Sequence, residues 1–218
     1  MKKIKYLVSG FLSGFIIGLG GLCYTLANAY STLGSIIGAL IFPFGLFLIC
    51  VLQIDLYTGK IGFVFSDKSI TPLRLVLMLI GNLLGASLIG ILCYLIFKDN
   101  QTIFPVITQI ASKKLDLFNI NLLYFSIKSI LCGMMVFLAV HLYKKSSSDF
   151  MKFISVLIPI FIFVLCGFEH CIADMFYFTF ALKFNLEMLV AIVISIIGNS
   201  LGALILYFIL NFIEEKKD

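Results

Sequence analysis

The chain has 218 residues, of which 61% are apolar and 12% are charged, and its formal net charge is +5. A typical soluble domain is about 45–50% apolar and about 25% charged, so this composition excludes a cytosolic enzyme, a disordered chain and a nucleic-acid-binding protein. Because one membrane span uses about 20 apolar residues, the spans leave only loops and short tails, with no room for a catalytic domain outside the membrane.

Six long apolar runs predict six transmembrane helices. A membrane-spanning barrel would instead show short segments of alternating polarity. The runs are Tyr6–Ala29, Leu33–Phe65, Leu73–Phe97, Leu122–Tyr143, Phe153–Leu182 and Leu186–Ile213. We therefore expect an all-α integral membrane protein with a single transmembrane domain over residues 1–218.

The first run also resembles a cleavable signal peptide. Lysines precede it, and Ala27-Asn28-Ala29 at its end resembles a cleavage site. Against cleavage, Gly10, Gly14 and Gly18 are spaced so that another helix can approach closely. The internal repeat described below also requires this span, so we favour a retained helix.

The second and fifth runs are longer than one span and contain polar residues. They have 33 and 30 residues, whereas an upright span needs about 20. Lipid cannot satisfy buried polar groups, so we expect helices two and five to be broken inside the membrane, with each break lining a water-filled path. The polar residues are Gln53, Asp55, Thr58 and Lys60 in the second run and Glu169, His170 and Asp174 in the fifth.

A repeated segment divides the chain into two halves. Gly81-Asn82-Leu83-Leu84-Gly85-Ala86 and Gly198-Asn199-Ser200-Leu201-Gly202-Ala203 share five of six residues. Each follows a broken run that carries an acid. Three spans in each half would place the halves upside down relative to each other, so we expect inverted repeats over about 1–100 and 115–218.

The basic residues predict the orientation. Ten of them fall on the side that holds both termini, against four on the other side, which places both termini in the cytoplasm. The ten are Lys2, Lys3, Lys5, Lys68, Arg74, Lys144, Lys145, Lys152, Lys216 and Lys217; the four are Lys98, Lys113, Lys114 and Lys183. The segment Lys98–Asn121 is expected to be the one sizeable loop outside the membrane.

His170 is the first candidate for a functional side chain. An ionisable group within a membrane span is costly and marks function by default, and histidine can change its charge near neutral pH. In the first half, the break around Asp55 and Lys60 should point free backbone N–H groups into the cavity, which favours an anion. Lys152 would draw anions towards the mouth of the path. The six cysteines form no CxxC pair, so we expect no metal, cofactor or disulfide framework.

Two motifs resemble those of a known family. Asp55-Leu-Tyr-Thr-Gly59 resembles an acid-Leu-Phe-Thr-Gly break, and Gly167-Phe-Glu-His-Cys-Ile-Ala-Asp-Met175 resembles a Gly-Phe-Glu-His-Ser-x-Ala-Asn-Met signature. Both belong to the formate/nitrite transporters, which include hydrosulfide channels. The resemblance runs over nearly the whole chain. It implies an aquaporin-like fold and a homopentamer in which each protomer has a pore for small monovalent anions.

The resemblance also implies roles for individual residues. His170 and Thr58 would face each other at the pore centre, and Lys152 would match a lysine that precedes span five. Two apolar slits would flank the centre, one of Leu46 with Phe163 on the cytoplasmic side and one of Phe42 with Val136 on the outer side. Asp55, Glu169, Asp174, Asn82 and Asn199 would support the pore.

Three residues depart from the family pattern. Asp55 replaces the usual Glu, and Asp174 replaces the usual Asn, which places a possible negative charge one helical turn from His170. Gly133 stands where some formate members have an Asn that lines the outer slit. The changes at Asp174 and Gly133 leave the ion preference open.

The expected function is a pH-dependent channel for formate, nitrite or hydrosulfide in the cell membrane. Apolar slits would strip water from the ion, and His170 would lower that cost by hydrogen bonding or by giving the anion a proton. One alternative is an aquaporin-like pore for water or glycerol, which needs no titrating group. Another is a membrane enzyme using Glu169 and His170 with Cys171 or Cys166, but neighbours on one helix point in different directions.

Overall fold

The computed structural model describes the backbone of residues 2–215 and the side chains of residues 3–214. Over these residues the chain forms ten α-helices and one 3-10 turn, with no strand. The helices are α1 Lys2–Tyr30, α2 Gly34–Ile41, α3 Pro43–Val51, α4 Tyr57–Lys60, α5 Pro72–Phe97, α6 Ile103–Ile120, α7 Leu122–Lys145, α8 Asp149–Leu165, α9 Cys171–Phe180 and α10 Leu186–Glu215. The predicted cytoplasmic positions of Lys216 and Lys217, and that of the Lys2 side chain, lie outside the described residues.

Five helical segments are long and apolar enough to cross a membrane within the described chain. They are Lys3–Tyr30, Gly34–Val51, Pro72–Phe97, Leu122–Lys145 and Leu186–Glu214. The fifth apolar run of the sequence is instead divided between α8 with 17 residues and α9 with 10 residues. All-helical architecture is therefore confirmed, and five of the predicted spans have the required length.

The second run is broken as the sequence predicts. α2 and α3 follow each other, and Pro43 is the first residue of α3. At this position the missing N–H of proline removes no hydrogen bond within the helix. After α3 the chain turns at Gln53, whose φ is 55°, and passes through an extended Leu56 before the single turn of α4. A 3-10 turn at Ile61–Phe63 directly follows α4.

The fifth run is broken at Gly167. This residue has a φ of 63°, a conformation that glycine adopts without steric cost. The chain between α8 and α9 is extended at His170, which precedes the first turn of α9. Each long run is thus interrupted next to its acidic residue.

The segment Lys98–Asn121 differs from the expected external loop. Most of it is α6, whose residues Ile103, Ile107, Ala111 and Leu115 are buried. These positions recur every four residues, so one face of α6 packs against the helices and the opposite face stays exposed. The polar composition of α6 concealed this packing, because only a narrow stripe of it is apolar.

Two pairs of long helices pack at glycines that have no space for a side chain. A Cβ on Gly14 of α1 would lie 1.9 Å from the carbonyl oxygen of Asn82 in α5. A Cβ on Gly133 of α7 would lie 2.0 Å from the carbonyl oxygen of Asn199 in α10. Small residues allow membrane helices to approach closely. The close approach of α1 to α5 therefore matches that of α7 to α10.

We predict that Gly133→Ala destabilises the protein, because the new methyl group can only be accommodated by separating α7 from α10. Overpacking of this kind costs about 1–3 kcal/mol. The measurement is the thermal midpoint of the purified protein in detergent. Gly20→Ala is the control, since its Cβ would meet its nearest neighbour at an ordinary 3.4 Å. Equal midpoints for the two variants would contradict the packing described.

Candidate functional site

The two helix breaks meet at a buried pair of polar side chains. Thr58 Oγ1 of α4 lies 2.9 Å from His170 Nε2. Thr58 has no exposed surface and His170 is 2% exposed. Residues from the two halves, 112 positions apart in the chain, are therefore brought together at the centre of the molecule.

The hydrogen bonds of His170 define its tautomer. The backbone N–H of Ala173 donates to His170 Nδ1 over 3.2 Å, and a ring nitrogen that accepts carries no hydrogen. In the neutral ring the hydrogen is therefore on Nε2, which donates to Thr58 Oγ1. The hydroxyl hydrogen of Thr58 can then be donated to a further acceptor. To take up a proton, the ring has to give up the bond from Ala173.

Asn82 holds the first break through three backbone groups. Its Oδ1 accepts from the N–H of Tyr57 over 2.7 Å, and its Nδ2 donates to the carbonyls of Gly10 at 2.7 Å and Asp55 at 3.0 Å. An asparagine side chain has two N–H donors and one carbonyl acceptor. It can therefore bond both the N–H groups and the carbonyl groups that a helix break leaves without helical partners.

Asn199 holds the second break in the same way. Its Oδ1 accepts from the N–H of Cys171 over 3.0 Å, and its Nδ2 donates to the carbonyls of Ser129 at 2.7 Å and Glu169 at 2.8 Å. The two repeated Gly-Asn segments of the sequence thus perform matching tasks, one for each break.

A cavity of about 370 Å³ opens on one side of the central pair. We call it the Lys114 cavity; its lining includes Lys114 of α6 together with Glu169, His170, Asp174 and Tyr177. Lys114 Nζ lies 2.6 Å from Glu169 Oε2 and 2.8 Å from Asp174 Oδ1. Both carboxylates are almost completely buried, so a single ammonium group compensates two acids. Asp174 Oδ2 has no hydrogen-bond partner.

A second cavity of about 500 Å³ opens at the opposite end of the molecule. We call it the Lys152 cavity, and four cations line it: Lys60, Arg74, Lys144 and Lys152. Lys144 of α7 lies 16 residues after Lys128, which lines the Lys114 cavity, and the helical rise makes this separation about 24 Å.

Asp55 lies beside the Lys152 cavity, where Arg74 is its nearest partner. Arg74 Nη2 lies 2.7 Å from Asp55 Oδ1, and Lys60 Nζ lies 4.0 Å from the same oxygen. The hydroxyl of Ser9 accepts the backbone N–H of Asp55 over 2.8 Å. The acid in the first break is thus anchored to α5 and α1 as well as to its own segment.

The apolar residues around the centre are divided between the two cavities. The ring of Phe163 meets that of Phe42 edge-to-face, with centroids 5.7 Å apart. Phe42 and Phe163 both line the Lys114 cavity, whereas Leu46 lines the Lys152 cavity. The two expected slits, Leu46 with Phe163 and Phe42 with Val136, stay predictions.

Val136 and Gly133 belong to neighbouring turns of α7. Val136 is buried, at 2% exposure. Gly133 faces α10 rather than an apolar slit, because the space where a side chain would start is filled by the backbone of Asn199. Gly133 therefore contributes to the packing of α7 against α10 in this chain.

Sequence reasoning missed two important cations. Lys114 was assigned to an external loop and Arg74 was counted among the basic residues on the cytoplasmic side, yet each is the nearest cation to a buried acid. The signal for Lys114 was the four-residue spacing of apolar residues in α6. No three His, Cys, Asp or Glu side chains are placed to hold a metal ion in residues 3–214.

Comparison with known proteins gives a consistent result. A family model described as formate/nitrite transporter matches residues 1–213. The chain is 33% identical to the uncharacterized transporter YrhG of Bacillus subtilis, over all of this chain and 90% of that protein. It is 26% identical to the formate channel FocB of Escherichia coli, over 83% of this chain and 68% of that one.

A solved structure shares the fold. It is described as a pentameric formate channel with formate bound, and its TM-score to this chain is 0.77. The match covers 98% of this chain and 96% of that chain, at 22% sequence identity. The likeness therefore concerns the arrangement of the helices.

We predict that Lys114→Met strongly destabilises the protein, because it leaves two buried carboxylates without a cation. Removing one partner of a buried ion pair costs about 3–5 kcal/mol. The thermal midpoint in detergent is the measurement. Lys113→Met is the matched control, since Lys113 is exposed on the same helix. A midpoint for Lys114→Met as high as that of the control would show that the ion cluster does not stabilise the fold.

Proposed function

The chain belongs to the formate/nitrite transporter family, and from this we propose that it conducts small monovalent anions, namely formate, nitrite or hydrosulfide. It is a multi-pass membrane channel of that family rather than an enzyme. The choice among the three anions is left to measurement, because all are small and singly charged.

The observation that carries this proposal is the distribution of charge along the molecule. Cations line both cavities, while the centre holds apolar rings and the uncharged Thr58–His170 pair. Lysines concentrate anions at each mouth, and the apolar residues Leu46, Phe42, Phe163 and Val136 remove their water. The helix breaks and Thr58 supply donors where the ion has lost its hydration.

His170 is proposed to make conduction pH-dependent. The neutral ring offers Nε2–H as a hydrogen-bond donor, either to Thr58 or to an anion that displaces it. A protonated ring adds a positive charge, which lowers the cost of a bare anion in the slit or supplies a proton to it. Protonation breaks the bond from Ala173, so the resting site is the neutral form.

A pore for small neutral solutes is the alternative. It shares the architecture but needs neither the cations at its mouths nor a titrating group at its centre. Glycerol flux therefore separates the two proposals.

The matching bonds of Asn82 and Asn199 support the finer architecture. We propose six spans, with α8 and α9 together forming the fifth, arranged as two inverted repeats of about 1–100 and 115–218 in one aquaporin-like domain. The described ends of α1 and α10 lie at the Lys152 cavity end, since Tyr6 of α1 packs on Arg74 and Glu214 of α10 pairs with Lys145, and we propose that both termini lie on this side. Lysine counts place this end in the cytoplasm of the cell membrane.

The assembly is proposed to be a homopentamer. This rests on the likeness to a pentameric formate channel. Exposed apolar side chains cover the outer faces of α5 and α10, and these faces can contact lipid or a neighbouring protomer. Protons are proposed as further partners through His170.

We predict that wild-type proteoliposomes take up formate, nitrite or hydrosulfide with little glycerol, and that uptake rises as the pH falls. His170→Phe should lose most of the anion flux and its pH response, because the central donor is gone. His141→Phe is the control, since His141 lies on α7 against Glu214 and Phe63. Unchanged flux and pH response in His170→Phe would refute the central role. Glycerol flux without anion flux would refute anion conduction and support the alternative, a pore for small neutral solutes.

We also predict that Asp174→Asn shifts the pH midpoint of flux downwards. An ionised Asp174 favours the imidazolium of His170, although Lys114 partly offsets its charge, so its removal makes protonation harder. The shift is measured by formate uptake across a pH series. Asp116→Asn, an exposed acid of α6, should leave the midpoint in place. An unmoved midpoint in Asp174→Asn would show that the two groups are not coupled.

A further inference from the structure

The Lys152 cavity carries more positive charge than a singly charged substrate requires. Its four cations come from four different helices: Lys60 from α4, Arg74 from α5, Lys144 from α7 and Lys152 from α8. Positive groups that repel one another are held around one space by four separate elements. This arrangement is costly unless an anion offsets the repulsion.

Carboxylates neutralise only part of this charge. Asp55 is shared between Arg74 at 2.7 Å and Lys60 at 4.0 Å. Asp149 lies 3.1 Å from Lys152, but its side chain is 98% exposed, so water screens that pair. Asp67 is a third carboxylate, which is only partly buried and interacts electrostatically with Lys144 and Lys60. Three carboxylates thus face four cations, and of these three Asp55 alone is buried.

Lys144 is one of the cations of the Lys152 cavity and lies against an aromatic ring. Its ammonium packs 3.6 Å from the centroid of the Phe63 ring, a contact that positions the cation without neutralising it. The adjacent Lys145 instead forms an ion pair with Glu214. Two neighbouring lysines on one helix are thus directed to different surroundings, and Lys144 is the one that lines the cavity.

The cavity is open to polar ligands at its mouth and apolar at its inner end. Leu46, Ile49, Leu56 and Val140 line the inner part. The cost of moving an ion out of water grows with the square of its charge, so an apolar slit opposes a dianion about four times as strongly as a monoanion. A dianion is therefore attracted into the cavity but stopped at the slit.

We propose that the Lys152 cavity is a binding site for a dianionic oxyanion of the phosphate or sulfate class, which blocks the path from that end. The proposal rests on the proposed anion conduction, because the block is defined against it. The volume of about 500 Å³ accommodates a tetrahedral oxyanion, free or carried on a small phosphorylated molecule. Four cations around one space can pair with both charges of the ligand, because only one of the three nearby carboxylates is buried.

The first test is formate uptake into proteoliposomes at constant ionic strength, with sulfate or inorganic phosphate inside and outside. We expect millimolar sulfate to reduce the uptake several-fold at every pH. Inorganic phosphate should inhibit more strongly from pH 6 to pH 8, as its second proton dissociates. Equal inhibition by a monovalent anion such as chloride would show that double charge is irrelevant and would overturn the proposal. A phosphorylated sugar as a third arm distinguishes free phosphate from a carried group.

The second test uses variants, each normalised to its own uninhibited flux. Lys144→Gln and Lys152→Gln should each raise the half-inhibitory sulfate concentration about tenfold. Lys145→Gln removes the same charge from the same helix end outside the cavity, and should change that concentration by about twofold or less. Equal shifts in Lys144→Gln and Lys145→Gln would reduce the effect to general surface charge and overturn the site.

Direct binding keeps this test independent of transport. A ligand that binds the folded protein raises its thermal midpoint, so sulfate should stabilise the purified wild type more than Lys144→Gln. Anion flux without inhibition or stabilisation by sulfate refutes the dianion site alone. Stabilisation without any anion flux would refute the proposed conduction while leaving the binding site, so the two failures are distinguishable.

Discussion

Backbone groups at a helix break inside a membrane must find partners within the protein, because lipid offers none. Each break in this chain exposes the carbonyl of its acidic residue and the N–H of the residue two positions later, and a single asparagine bonds both. The same asparagine also holds a carbonyl of a neighbouring long helix. Each break is therefore fixed to two long helices through one side chain, and these helices approach closely because glycines stand at the contact. The position of the central pair depends on this arrangement.

The cap of α9 shows how the fold restricts the chemistry at the centre. His170 is both the residue that precedes α9 and the partner of Thr58. Its Nδ1 is occupied by the helix, so only Nε2 faces the path. A histidine held in this way presents a hydrogen-bond donor at rest, and any proton it gains is opposed by the loss of a helix-capping bond. The cap thus favours the donor form that an anion requires.

The sequence was most informative for the segments inside the membrane, because lipid offers no partners to polar groups and so restricts the structures that can form there. Overlong apolar runs, polar residues within them and a repeated Gly-Asn segment predicted both breaks and the residues beside them. It was least informative at the ends of the spans, where a lysine can be solvated or can reach inwards. Lys114 and Arg74 illustrate this, since a long side chain can extend from a polar segment to a buried acid.

The separation of charge from the centre has a consequence for how substitutions act. Charges at the two ends act over distance through the solvent, so they govern how often an anion arrives and how strongly salt reduces that rate. The apolar rings and the Thr58–His170 pair act only on an ion that has already lost water, so they govern whether it crosses. The Lys114 cavity complicates this division, because its ammonium is shared by two carboxylates within reach of the central histidine. Under the proposed function, Asp174 therefore contributes both to the electrostatics of the Lys114 cavity and to the protonation of His170.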